Sequence, residues 1–140
     1  MKNDKITGNN HVARLCHNKH VEDEQILPTA FHLNLRTGEN GLSVNWLESL
    51  ACSNRDSEIK VIREIYTKTF NTVGTRAKIA ILNASKVYER VLSGGRHLEI
   101  LHDPLVDDQS HSQMYYLKED YMEIGELIFQ TVQETYPART

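Results

Sequence analysis

The stretch Lys78 to Gly95, KIAILNASKVYERVLSGG, constrains the fold more than any other part of the chain. Lys78 to Leu82 alternates isoleucine with small or long side chains and has the character of a buried strand. Asn83 or Ser85 can then cap a helix, along which Ala84, Val87, Tyr88, Val91 and Leu92 recur at the i, i+3, i+4, i+7, i+8 spacing of one face. Gly94 and Gly95 end that helix, and His97 to Leu101 (HLEIL) is strand-like again. Strand, helix and strand in succession require a sheet with a helical layer against it. The simplest geometry is a right-handed crossover that leaves the two strands parallel and adjacent.

Flanking segments fit the same layered plan. His11 to Cys16 (HVARLC) alternates as a short strand does, and Ala30 to Leu35 (AFHLNL) puts Phe31, Leu33 and Leu35 on one face and His32 on the other. His11 and His32 are therefore expected to meet on neighbouring strands. Leu42 to Leu50 (LSVNWLESL) has two solutions. Leu42 and Val44 can end a strand, but a helix capped near Ser43 and carrying Trp46, Leu47 and Leu50 is favoured. Asp56 or Ser57 caps a further helix with Ile59, Ile62, Tyr66 and Phe70 on its buried stripe. Met114 to Leu117 is a short strand or an extended lead-in. Asp120 with Glu123 resembles a capping box that opens a last helix running to about Tyr136. The expected fold is a single compact α+β domain over residues 11–140, after a flexible polar start at 1–10. It has a mixed sheet, the strand-helix-strand unit near 78–101 and a C-terminal helix.

Composition narrows the class. With 140 residues, 39% of them hydrophobic, the chain can bury a core without disulfides or metal. It has no signal-peptide pattern and no run near the roughly 18 apolar residues of a membrane span. Cys16 and Cys52 read as free thiols, so a cytoplasmic location is expected. The net charge of −3 hides a polarity: residues 55–96 hold nine Lys or Arg against four acids, and residues 97–140 hold two against nine. Such a basic middle and acidic end either attract each other within the fold or steer separate partners. Nucleic acid ranks low as a partner, because the basic segment has no recognition motif or interleaved aromatics. No P-loop, G-x-G-x-x-G or H-E-x-x-H occurs, and Cys16, His17 and His20 supply only half a zinc site, so no cofactor or metal is expected.

The densest chemistry lies in Leu101 to Ser112, LHDPLVDDQSHS. If the strands of the 78–101 unit pair in parallel, their carboxyl ends and the helix start share one edge. Asn83 and Ser85 would then lie beside His102 and Asp103, an anion-friendly helix start next to an imidazole and a carboxylate. His111, preceded by Ser110, adds a second imidazole suited to acid-base work, although turn-forming bonds from the loop Asp and Ser residues account for the same composition. Candidate catalytic residues are thus His102, Asp103 and His111. Candidate ligand contacts are Arg14, whose guanidinium forks onto phosphate or carboxylate, with Ser43, Asn45, Asn83, Ser85 and Ser110. Arg14 can equally pair with Glu22 or Glu48.

Leu42-Ser43-Val44-Asn45-Trp46, followed by His102-Asp103-Pro104 and Ser110-His111, resembles an uncharacterised family of small bacterial proteins over about residues 42–117. The resemblance implies a bacterial cytosolic origin. Alanine often stands in that family where this chain has Ser110, so it implies no nucleophilic role there. Two functions are expected from the whole. One is an accessory or interaction module of a multi-protein system, such as phage defence or a toxin system, binding other subunits or its own copies. The alternative is a small enzyme or sensor for a phosphate-bearing ligand such as a nucleotide, with Arg14 holding charge and His102 and His111 exchanging protons.

Overall fold

Alternation in HVARLC produces the strand β1 (His11–Cys16), and in the computed structural model, which describes residues 2–139, this strand lies inside a six-stranded sheet. Next come a small hairpin of β2 (Val21–Glu22) and β3 (Gln25–Ile26), then β4 (Gly41–Trp46), α1 (Arg55–Thr69), β5 (Lys78–Asn83) and α2 (Ala84–Ser93). The chain ends with β6 (Glu99–His102), β7 (His111–Tyr115), α3 (Tyr121–Phe129) and β8 (Glu134–Pro137). The protein is α+β, with sheet order β6-β7-β4-β1-β5-β8.

Strand, helix and strand all form over 78–102, but β5 and β6 do not pair. Every pairing in the sheet is antiparallel, and β1, β4 and β7 separate the two strands. The expected parallel pair, and with it the mixed sheet, is absent because both edges of β5 are occupied, by β1 and by β8. β5 and β6 still run in the same direction, so Asn83 and His102 end on one edge of the sheet. Four strand spacings keep them roughly 19 Å apart.

One face of the sheet carries Val12, Leu42, Val44, Leu82, Ile100 and Met114 under α2, α3 and the 3₁₀ turn Pro28–Phe31. On the opposite face Ala13, Leu15, Ile79 and Ile81 meet Ile59, Ile62 and Tyr66 of α1. That apolar patch covers β1 and β5. Over β4 and β7 the same face is polar, with Ser43, Asn45, His111 and Gln113 in alternation.

Several segments depart from their local pattern for tertiary reasons. Ala30 to Leu35 is not a strand: Pro28 opens a 3₁₀ turn, Ala30 is buried and Leu35 is exposed, the reverse of what strict alternation requires. His32 packs edge-on against Tyr121 at 5.5 Å, and not against His11. Leu42 to Leu50 takes the strand solution, with Leu47–Leu50 as a 3₁₀ turn, because β1 and β7 satisfy both edges of β4. α1 is capped by Asn54, whose Oδ1 accepts from the Ser57 amide at 2.8 Å. α3 stops at Phe129, and the chain past it becomes an edge strand beside β5 where helix to Tyr136 was expected. Asp120 and Glu123 form no capping box; both turn to Arg96.

Residues 1–10 were expected as a flexible tail, yet those described are tied to the sheet. The Asn3 amide donates to the His102 carbonyl (2.6 Å) and the Ile6 amide to the Ile100 carbonyl (2.8 Å), with Ile6 buried. The acidic end and basic middle do attract each other: Arg55 reaches Glu134 (3.3 Å) and Arg96 reaches Asp120 (3.6 Å). No helix among the described residues is long and apolar enough to cross a membrane.

Gly125 marks the tightest approach of α3 to the turn beneath it. A Cβ there would lie 2.5 Å from the His32 ring and 2.9 Å from the Phe31 carbonyl oxygen. Gly125→Ala should therefore lower the urea midpoint, since overpacking costs about 1–3 kcal/mol and exceeds the gain of up to about 1 kcal/mol from helix propensity. A midpoint that rises would show that the turn yields freely.

Candidate functional site

β1 pairs with β5 along its whole length but with β4 only at Val12↔Trp46 and Ala13↔Asn45. Beyond that point the two strands part, and the Arg14 guanidinium fills the opening. Its Nε donates to the Ala30 carbonyl (3.0 Å) and its Nη1 to the Ser43 carbonyl (2.9 Å). Among the described residues Arg14 has no carboxylate within ion-pair distance. Glu48 is engaged instead by His11, through both its backbone amide (2.6 Å) and its ring (2.7 Å). A full positive charge is thus fixed in place by neutral carbonyls and left uncompensated.

This guanidinium forms part of the wall of a cleft of about 730 Å³ between the polar half-face of the sheet, the end of α1 and the loop Leu105 to Asp108. Ser43, Asn45 and His111 line it from the sheet, and Tyr66, Lys68 and Phe70 from α1 and its end. Tyr66 is 4% exposed, and its hydroxyl makes no hydrogen bond to any described residue. Burial raises the phenol well above its usual range, as do Cys16 and Asp108, while Arg14 pulls the other way, so it stays a neutral donor. His17 also lines the cleft, edge-on to Phe70 at 5.3 Å, and burial together with Arg14 and Lys19 lowers its pKa.

The sheet side is ordered by two networks. Asp108 accepts from the Asn45 amide (2.7 Å) and, through its other oxygen, from the Ser110 hydroxyl (2.7 Å) and amide (3.2 Å). Asn45 also donates to Ser110 Oγ at 2.9 Å, so both serine lone-pair and proton are committed. Ser110 is a buried brace, closing the 105–110 loop onto β4. In the second network His111 Nδ1 lies 2.9 Å from the Asp103 carbonyl oxygen and 3.7 Å from its carboxylate, and Nε2 lies 3.4 Å from Ser43 Oγ.

Arg14, Ser43, Asn45 and His111 therefore converge, with Asp103 and Ser110 directly behind them. His102 does not. It alternates onto the opposite face, where its ring meets Trp46 at 5.1 Å and Nε2 contacts the Gln109 carbonyl at 2.8 Å, so it cannot exchange protons with His111. Asn83 and Ser85 are also elsewhere. Asn83 caps α2 through the Lys86 amide (3.1 Å) and contacts His11 (3.3 Å). The Ala84 and Ser85 amides are spent on the carbonyls of Asn10 and Gly8, which occupy the place expected for an anion. Cys16 lies on the far face of the sheet, where burial pushes its thiol up to about 12, and His20 contacts the Thr29 hydroxyl (2.8 Å). Among the described residues no three potential metal ligands gather. Tyr66, Lys68 and Phe70 are the contributors that sequence patterns hide, because the helical period assigns Tyr66 and Phe70 to core and Lys68 to solvent.

No protein-family model, curated protein or solved structure matches the chain. Function must be argued from this geometry.

Ser110→Ala should cost about 1–3 kcal/mol of stability, since it leaves Asp108 and Asn45 short of a buried partner, and denaturant titration would detect it. A neutral result would mean water replaces the hydroxyl. A second expectation concerns acid. Burial, then Lys19 and Arg14, lowers His20 to about 4 from an unfolded value of 6.5. Between those values the unfolded chain binds the extra proton, so stability is full above pH 6.5 and lost as pH falls toward 4. His20→Asn should reduce the drop in urea midpoint between pH 7 and pH 4.5, and an equal drop in both proteins would contradict the assignment.

Proposed function

We propose that this chain binds a nucleotide-like ligand in the cleft, with the phosphate held by Arg14 and Lys68. The observation that carries the reading is the presence on one cleft of a guanidinium with no carboxylate partner and of the Tyr66 hydroxyl, which bonds no described residue. Both groups are donors, and an anionic oxygen in the cleft would accept from them in charge-assisted hydrogen bonds stronger than those to water. The rest of the lining suits the remainder of a nucleotide. Phe70, 36% exposed at the cleft, offers a flat apolar surface to a base, while Asp107 on the facing loop can accept from sugar hydroxyls or base amino groups. The volume falls in the range of pockets for such ligands.

The accessory-module reading draws on the same loop. Val106 is 95% exposed beside Leu105, and a protein partner seated there would cover the mouth of the cleft. The two readings join in a sensor whose ligand state a second subunit detects.

Calorimetric titration with mononucleotides, sugar phosphates and inorganic phosphate tests the proposal, and binding of a nucleotide above inorganic phosphate is expected. Tyr66→Phe removes only a hydroxyl that bonds nothing in the protein, so the thermal midpoint should hold. Affinity should fall about tenfold, the lower end for losing a hydrogen bond to a charged group. No measurable binding of any of these ligands to the unaltered protein would defeat the proposal.

A further inference from the structure

Ser43, His111 and Asp103 stand in a line that ligand binding alone does not require. Ser43 pairs with Gln113 and Asn45 pairs with His111 in the β4–β7 ladder, so Ser43 and His111 are diagonal neighbours on one face of the sheet. Ser43 is solvent-exposed where it lines the cleft. The backbone continues the β6–β7 ladder by one step, with the Asp103 amide donating to the His111 carbonyl at 2.9 Å, and this pins the two residues together. A carbonyl can only accept, so Nδ1 at 2.9 Å from the Asp103 carbonyl oxygen must carry the proton. In the neutral ring Nε2 is then an acceptor, and the group 3.4 Å in front of it is the Ser43 hydroxyl. The Asp103 carboxylate stands 3.7 Å behind Nδ1, steadied by Lys2 at 3.7 Å and by the Gln113 amide at 3.4 Å.

We propose that Ser43 is a nucleophile for acyl esters, with His111 as its general base and Asp103 as the positioning residue that fixes the tautomer. Nucleophile, base and orienting group in sequence are the requirement for activating a hydroxyl that is otherwise unreactive at neutral pH. In the reaction Ser43 Oγ bonds to the carbonyl carbon while its proton passes to His111 Nε2. The carbonyl π electrons move onto oxygen, and Arg14, bonded through Nη1 to the Ser43 carbonyl at 2.9 Å, is the cation adjacent to that charge. Collapse of the intermediate breaks the bond to the leaving alcohol, which takes the proton from Nε2. Water then repeats the sequence, giving its proton to Nε2, releasing the acid and returning that proton to Ser43. The 3.4 Å separation is long for a hydrogen bond and is of the kind that shortens when substrate excludes water.

The test is covalent and does not depend on nucleotide binding, so either proposal can fail alone. Diisopropyl fluorophosphate reacts with an activated serine by forming an Oγ–P bond and expelling fluoride, the proton leaving through Nε2 to solvent. Incubation should add one phosphoryl adduct, located on the Ser43 peptide by mass spectrometry and absent in Ser43→Ala. His111→Gln keeps a side-chain amide able to reach the Asp103 carbonyl, so its thermal midpoint should hold while labelling slows about 100-fold. The labelling rate of the unaltered protein should rise through a single deprotonation that the His111→Gln variant lacks. Absence of an adduct, an adduct on another residue, or equal labelling of His111→Gln would overturn the proposal.

Discussion

The site depends on how the sheet handles the parting of β1 and β4. Two central strands that separate after two pairs leave backbone groups without ladder partners, and in an interior these must be met. Arg14 meets one of them, the Ser43 carbonyl of β4, and with the same side chain bonds the Ala30 carbonyl of the turn Pro28–Phe31. Lysine could not do this, because a single ammonium lacks the spread of donors needed to reach both carbonyls in fixed geometry. The same solution leaves a permanent positive charge inside the fold. Its field depresses the neighbouring imidazoles of His17 and His20 and opposes the effect of burial on Tyr66 and Cys16. A defect in strand pairing thus becomes the electrostatic centre of a cleft.

Elements whose local pattern agrees with their tertiary role were legible from sequence. β1, α1, β5 and α2 follow period two or 3.6 closely, and α2 carries the expected Asn83 cap, whereas Asn54 caps α1 in place of Asp56 or Ser57. The unreadable parts are those in which a partner outvotes the pattern. Ser43 looks like a helix cap until β7 lies beside it. The stretch 130–136 continues an apolar helical stripe, but the free edge of β5 is available and takes it as a strand. Leu92 fits the α2 stripe by period yet is 62% exposed, since the buried line of α2 is the narrower one through Ala84, Val87 and Val91 and leaves Leu92 at its side.

For the cleft, the sequence disclosed the residue types but not their sides. His102 and His111 sit in one short segment, and no local rule says that the reversal between β6 and β7 sends them to opposite faces. That fact rests on the register His102↔Ser112, which makes Ser112, not His111, the cross-strand partner. Conversely Ser43 and His111 are 68 residues apart and become neighbours through one ladder. Arg14 was recognisable as a candidate anion-binding cation, but the sequence left Glu22 and Glu48 open as its partners, and only the fold gives it carbonyls in their place. Tyr66 was not recognisable, because a hydroxyl at the rim of a helical stripe looks like core from one side and like a binding group from the other.

The position of β1 also governs how the chain can assemble. Among the strands of the sheet it is synthesised first, yet its partners are β4 and β5, and His11 pairs with Asn83. Local contacts cannot stabilise it. A nascent chain leaving the ribosome must therefore carry an apolar, strand-prone segment with both edges open until β4 follows, and with its β5 edge open for about half the length of the chain. Folding dominated by such distant pairings is slow, and open edges are where unwanted association begins. The arginine in the middle of that segment, a charge that resists burial until two specific carbonyls arrive, also protects the strand from pairing with the wrong neighbour while it waits.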